Sequence, residues 1–375
     1  ASDVYKRQAK RHKMKQYRAA VIGCSRIGGF IDNEVAGHEG LSMQPPSSHG
    51  GGYYVSDRTE LIGCSDLRED VMEQFGQRYD IPKSGQYTDY KKLIDQEQPD
   101  IVSIATQPEH RADIAIYAAE NGVKAIYAEK ALAASLEQAD AMMDAVEKNR
   151  VSFNMGTNRR WSRHYEKMKE IIDSGELGPL KSLIIHANSS LFNSASHTFD
   201  TINYLNNDSN PSWVQGRLHD DSIIDGNIIR DDPIGEGVIG FENGVICYAL
   251  QTGLGSTYQA ICENGYITIK DDGEEFDYRG PGPLNHKGVA TIIPFEFPEV
   301  KAVSTVVNIV EDLAHSLDTG RPTKGGVKVA RASLELSFGI IESHLSNGAK
   351  IDFPIKRHNL KLDRVRAPRK PKYQA

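Results

Sequence analysis

The segment YRAAVIGCSRIGG, residues 17–29, decides the fold. Residues 19–22 form a short apolar run that ends on Gly23, and a second glycine follows at position 28. Such an unbroken run suits a strand covered on both faces, as in parallel sheets. Glycines at its end let the backbone turn tightly and approach a ligand closely. The series Gly23-Cys-Ser-Arg-Ile-Gly28 departs from the dinucleotide fingerprint G-x-G-x-x-G only at Ser25, whose hydroxyl can itself meet a phosphate oxygen. The loop, with Ser25, Arg26 and Ile27 between its glycines, is therefore a candidate pyrophosphate cradle, provided a helix begins there and offers its free N–H groups. A plain strand-to-helix turn has the same pattern.

Working outward, apolar strands recur at ELIGCSD (60–66), DIVSIAT (100–106), KAIYAEK (124–130) and VSFNMGT (151–157), with helical periodicity in the stretches between them. Strand and helix in alternation predict a doubly wound parallel α/β domain over residues 17–155. Asp66 closes the second strand, where an acid accepts the hydroxyls of an adenosine ribose and repels a ribose phosphate. NAD is the expected cofactor, with NADP as the alternative because Arg68 stands close by. Asp66 lies farther from the loop than the usual ~20 residues. The excess is the stretch GHEGLSMQPPSSHGGG, residues 37–52, expected as a passive surface insertion or as a shaper of substrate access.

Beyond residue 156 the rhythm changes. Asn243-Gly244 and Asn264-Gly265 mark tight turns between strand-like runs, and so predict antiparallel hairpins. Two helices follow. The first places Val303, Val306, Val307, Val310, Leu313 and Leu317 on one face and stops at Gly320 and Pro322. Residues 156–355 are thus expected to form an α+β domain with a large, mostly antiparallel sheet. Residues 1–16 and 356–375 are basic, and are expected to be a leader and a solvated tail. The 375 residues suit two domains, and a net charge of −7 gives no bulk attraction to nucleic acid. Four scattered cysteines suggest neither a metal site nor disulfides, no apolar run is long enough to cross a membrane, and a cytoplasmic location is expected.

AIYAEKALA runs an apolar strand directly into Glu129 and Lys130, at the same sheet edge as Gly23. An ammonium in a cleft stabilises a developing alkoxide. The same lysine can equally reach to solvent or pair with Glu129.

The Gly23 loop, Asp66, IATQPEHR (104–111), EKALA, GTNRRW (156–161) with IIDSGELGPLKS, and SHTFDTINYL (196–205) occur in that order along nearly the whole chain from Tyr17 to about Pro354. Together they resemble the Gfo/Idh/MocA family, the glucose-fructose oxidoreductase and inositol dehydrogenase group. The resemblance implies a Rossmann domain binding NAD or NADP, a second domain whose open sheet often makes the oligomer interface, and hydride transfer at a sugar or cyclitol carbinol. Lys130 resembles the family's lysine in E-K-P, which contacts both substrate and nicotinamide and so joins the cofactor set, with Ala131 in place of the proline. His197 resembles the catalytic histidine, and Asn193 stands where many members have an aspartate.

Asp200 resembles an acid usually read as structural. Thr106, Pro108, His110 and Glu129 join the cofactor set, while Arg159 and Arg160 match a double arginine. With Tyr165 and Asn188 these arginines are the expected polar partners of substrate hydroxyls, together with Lys130, Asn193 and His197. The implied protein is a homodimer or homotetramer acting on a small polyol or sugar. Two other readings use the same parts: an NAD-dependent glycoside-cleaving enzyme that oxidises its sugar transiently, and a non-catalytic NAD-binding sensor.

Overall fold

The structure is a computed structural model that describes residues 15–36, 44–188, 190–252, 255–356, 359–364 and 371–374. Its first domain is a six-stranded sheet, β1 (Tyr17–Ile22), β2 (Thr59–Ser65), β3 (Gln86–Tyr87), β4 (Ile101–Ile104), β5 (Ala125–Ala128) and β6 (Ser152–Met155), in the order β3-β2-β1-β4-β5-β6. Every pairing is parallel. Strand order therefore reverses between β1 and β4, the place where doubly wound folds bind ligands beyond the carboxyl ends of the strands. Gly23, Thr106 and Lys130 all follow strands at that edge.

The second domain is a nine-stranded sheet. From one edge its strands are Ile292–Phe295, Glu275–Pro281, Gly265–Lys270, Ser256–Cys262, Leu180–Ala187, Ile246–Gln251, Gly235–Phe241, Pro211–Leu218 and Ile351–Asp352. Leu180–Ala187 pairs parallel with Ile246–Gln251, and the remaining pairs are antiparallel. The two Asn-Gly turns join antiparallel neighbours as the sequence predicts, and Gly244 adopts φ +86°. Leu183, Ile185, Cys247 and Ala249 are buried on one face, while Tyr248 and Leu250 stand exposed on the other.

Three expectations require correction. Residues 37–43 lie outside the described residues, but the end of the supposed surface insertion, from Ser48 on, is internal. His49–Val55 is a helix whose first five residues are buried. Its glycines are there for close packing: a Cβ on Gly50 would lie 2.7 Å from the Tyr79 ring, and one on Gly52 would lie 2.6 Å from Val306.

Second, the helix Thr305–Thr319, counted with the second domain, covers the first. Val306, Ile309, Val310 and Leu313 are buried in one cluster with Ala19, Val21, Tyr53 and Tyr127. Each such side chain contributes about 1.5–3 kcal/mol when withdrawn from water.

Third, the described part of the C-terminal tail is docked on the protein. Leu360 and Leu362 are buried, Lys361–Leu362 pairs with Ile228–Ile229, and Arg364 bonds Glu109 at 3.0 Å. Tyr373 packs edge-on against Phe30 with ring centroids 5.0 Å apart. Alternating leucines and one aromatic residue outweigh the surrounding charge.

Candidate active site

The glycine loop opens the site. Gly23 has φ +95°, and a Cβ there would fall 2.8 Å from the Ala105 carbonyl carbon. At Gly28 a Cβ would stand 1.9 Å from the Gly23 oxygen. Both positions therefore exclude any side chain. No continuous α-helix begins at the loop. Arg26–Phe30 is a single wide turn closed by an Ile31 N–H to Arg26 carbonyl bond of 2.6 Å, and a four-residue helix, Asp32–Val35, comes after it. The first N–H groups of such a turn have no partner within it, so the donors remain, while the aligned dipole of a long helix is missing.

Asp66 also braces this loop. Its Oδ2 accepts the N–H of Cys24 at 2.8 Å and its Oδ1 the N–H of Arg68 at 3.0 Å, and Arg68 Nε lies 3.5 Å away. A carboxylate has about four lone-pair sites, so these two bonds leave room for ribose hydroxyls. Glycine positions closed to side chains and an acid fixed at the end of β2 fit an NAD molecule. Thr106 and Pro108 follow β4, with the Thr106 hydroxyl buried and without a partner. His110 is exposed on the first turn of the helix Pro108–Glu120.

At the end of β5, Lys130 reaches across to the second domain, where its Nζ donates to Asn193 Oδ1. Asn193 occupies the N-cap position of the helix Ser194–Leu205 but makes no capping bond with its side chain. Its amide is turned to the lysine instead. His197, on the first turn of that helix, is half-buried, and its Nδ1 is buried with no hydrogen-bond partner. Burial first, then the nearby Lys130 and Arg159, push the imidazole pKa down to about 3, so the ring is neutral at working pH. Burial likewise lowers the Lys130 ammonium from its ordinary value, with Glu129 opposing the shift.

Other expected substrate residues are held differently. Arg160 is only 1% exposed, and its three nitrogens all donate, to Asp200, Asp208 and the Lys324 carbonyl. It has no donor left for a substrate, and this ion pair is also why Asp200, at i+3 from His197, is structural. Tyr165 is completely buried and its hydroxyl donates to Asp272 at 2.7 Å, which likewise removes it from substrate contact. Arg159 grips the same Asp272 through Nε (2.8 Å) and Nη2 (2.7 Å). Its charge still reaches His197. Asn188 is exposed and accepts the Ser190 N–H at 3.3 Å. Asp272 itself, on a left-handed residue (φ +59°) between two strands, carried no signal in the sequence beyond a turn.

A parallel sheet that reverses order beside a glycine cradle, with Lys130 at its edge bonded to Asn193 of the second domain, defines a doubly wound fold of the dinucleotide-binding kind. Residues 17–157, which make up the first domain, match the GFO_IDH_MocA family model, described as "Oxidoreductase family, NAD-binding Rossmann fold". Among its relatives is a myo-inositol 2-dehydrogenase of Thermotoga maritima, 24% identical over 58% of this chain and 61% of that protein. A scyllo-inositol 2-dehydrogenase (NAD(+)) of Bacillus subtilis is 27% identical over 51% of this chain and 54% of that one. The matches thus span between about half and three fifths of these relatives. A levoglucosan dehydrogenase solved with NADH and L-sorbose shares the fold at a TM-score of 0.70, with 18% identity, over 91% of this chain and all of that one. Among the described residues no cluster of His, Cys, Asp or Glu could hold a metal ion, and no helix is long and apolar enough to cross a membrane.

Proposed function

We propose that this protein oxidises a secondary alcohol of a sugar or cyclitol with NAD. One observation carries the reading: Lys130 from the first domain and Asn193 from the second, 63 positions apart, hydrogen-bond beside a neutral histidine one turn further on. NAD, held by the Gly23–Gly28 loop and Asp66, would supply the acceptor for the hydride of the carbinol carbon. Lys130 then holds the substrate oxygen and stabilises its negative charge as the proton departs, an effect strengthened by the same desolvation that lowers its own pKa. His197 is neutral and can accept that proton, and its unpartnered Nδ1 lacks the bond that a substrate hydroxyl supplies.

Asn193 holds Lys130 by accepting its ammonium N–H, and supplies no charge. Gly23, Ser25, Arg26, Ile27 and Gly28 cradle the pyrophosphate, with Asp66 toward the ribose. Leu67, 88% exposed beside Asp66, offers an apolar surface to the adenine. The open face of the large sheet, bearing exposed Tyr248 and Leu250, is the surface through which copies of the chain would associate as a dimer or tetramer.

The test is a panel of polyols, aldoses and inositols with NAD and NADP, read by nicotinamide absorbance. On the substrate found, Lys130→Ala should lower kcat about 10²–10³-fold, as loss of one alkoxide donor does, and leave the dissociation constant for NAD within a few-fold. Normal turnover in that variant refutes the assignment. Cleavage of a glycoside without net NADH would move the reading to the glycoside-cleaving class.

A further inference from the structure

Directly behind Lys130 lies a polar group that the chemistry above does not use. His49, from the helix His49–Val55, is completely buried, and its ring stacks on Tyr127 with centroids 3.9 Å apart and planes 13° from parallel. Nδ1 meets the hydroxyl of Ser103, on β4, and Nε2 stands 3.2 Å from Glu129 Oε1. The other carboxylate oxygen, Glu129 Oε2, accepts the backbone N–H of Lys130 at 3.2 Å. Glu129 is 8% exposed. Burial alone would favour its neutral acid, but the adjoining His49, Lys130 and Arg111 outweigh that and bring its pKa down to about 2.

The order of donors follows from the atoms. A carboxylate accepts only, so Nε2 must carry the proton that goes to Glu129. Ser103 Oγ can meet Nδ1 as donor or as acceptor, and either arrangement leaves the Nε2 proton directed to Glu129. Without the histidine, a buried carboxylate next to a lysine would turn to the nearest ammonium, and Lys130 would leave Asn193 for its own neighbour.

We infer that His49 is a positioning residue for the reaction. By holding Glu129 Oε1, it keeps Oε2 on the backbone of Lys130 and leaves the lysine ammonium free to face the substrate oxygen. The inference rests on the reading of Lys130 given above. It places the helix His49–Val55 inside the working apparatus of the enzyme, although His49 itself is completely buried.

The experiment compares His49→Leu, His49→Gln and Glu129→Gln in the full chain. His49→Leu removes the donor. His49→Gln keeps an N–H near the position of Nε2. His49→Leu should lower kcat about 10²-fold, the usual effect of a misplacement of about 1 Å, while KM changes less and NAD affinity holds. His49→Gln should recover most of the loss, and Glu129→Gln should reproduce it. Equal losses in His49→Leu and His49→Gln, in step with their melting temperatures, would reduce His49 to a packing residue and overturn the proposal, as would full kcat in a folded His49→Leu.

If His49→Leu does not fold, ¹⁵N imidazole NMR of the wild-type chain decides independently of activity. Nε2 must be protonated, and a bare Nε2 overturns the proposal. Failure of the reading of Lys130 looks different, because Lys130→Ala itself would then keep full turnover.

Discussion

Replacing Gly28 with alanine tests the cofactor cradle without knowledge of the substrate. The added Cβ would sit 1.9 Å from the Gly23 carbonyl oxygen, where ordinary contact begins at 3.4 Å. The loop must therefore open by about 1.5 Å, at an overpacking cost of about 1–3 kcal/mol in the unliganded protein. That shift also moves the N–H groups aimed at the pyrophosphate. Misplacement by about 1 Å costs on the order of 10²-fold, so the NAD dissociation constant should rise about a hundredfold, equivalent to about 2.8 kcal/mol.

Thermal unfolding shows the effect directly. At an NAD concentration about a hundred times the wild-type dissociation constant, wild type gains about 2.7 kcal/mol and the variant only about 0.4 kcal/mol. Gly326→Ala is the control, since Gly326 has φ −58° and the nearest atom to its added Cβ is 3.8 Å away. It should keep the full NAD response. A folded Gly28→Ala protein stabilised by NAD as much as wild type would refute the assignment of this loop to the pyrophosphate.

Two further outcomes are expected. Because His197 is held near pKa 3, well below its ordinary 6.5, kcat/KM should show no histidine limb as pH falls from 8 to 5. A limb near 6.5 that vanishes in His197→Gln would contradict this. The same shift makes His197 a stabilising group above pH 6.5 whose contribution is lost as pH falls toward 3, since only the unfolded chain takes up the proton in that window. Arg160→Met leaves the buried Asp200 without its guanidinium and should cost about 3–5 kcal/mol in urea unfolding, with turnover per folded molecule unchanged.

Much of this architecture was legible in residue order. Five parallel strands lie where their apolar runs predicted, because a strand buried on both faces needs apolar residues throughout. The sixth, Gln86–Tyr87, is two residues long and has no period to read. HGGGYYV gave the opposite signal to its structure: three glycines imply a loop, yet here they admit the rings of Phe75 and Tyr79 and the side chain of Val306, contacts that only the folded chain defines. At the site, Lys130 and His197 could be singled out by position and type. The engagement of Arg160 by Asp200 and Asp208 could not, because an exposed arginine and a buried one are the same letter, and the partners lie 40 and 48 positions away.

The helix Thr305–Thr319 closes one side of the first sheet, and that has a consequence for biosynthesis. When the ribosome has released residues 17–157, the apolar surface around Tyr53 and Tyr127 still lacks its cover, and it stays bare until about 160 more residues have emerged. Translation therefore produces a half-covered sheet that must be shielded by chaperones or kept dilute. A gene fragment cut at the apparent domain border should accumulate as aggregate, whereas co-expression of residues 305–319 as a separate peptide should restore solubility.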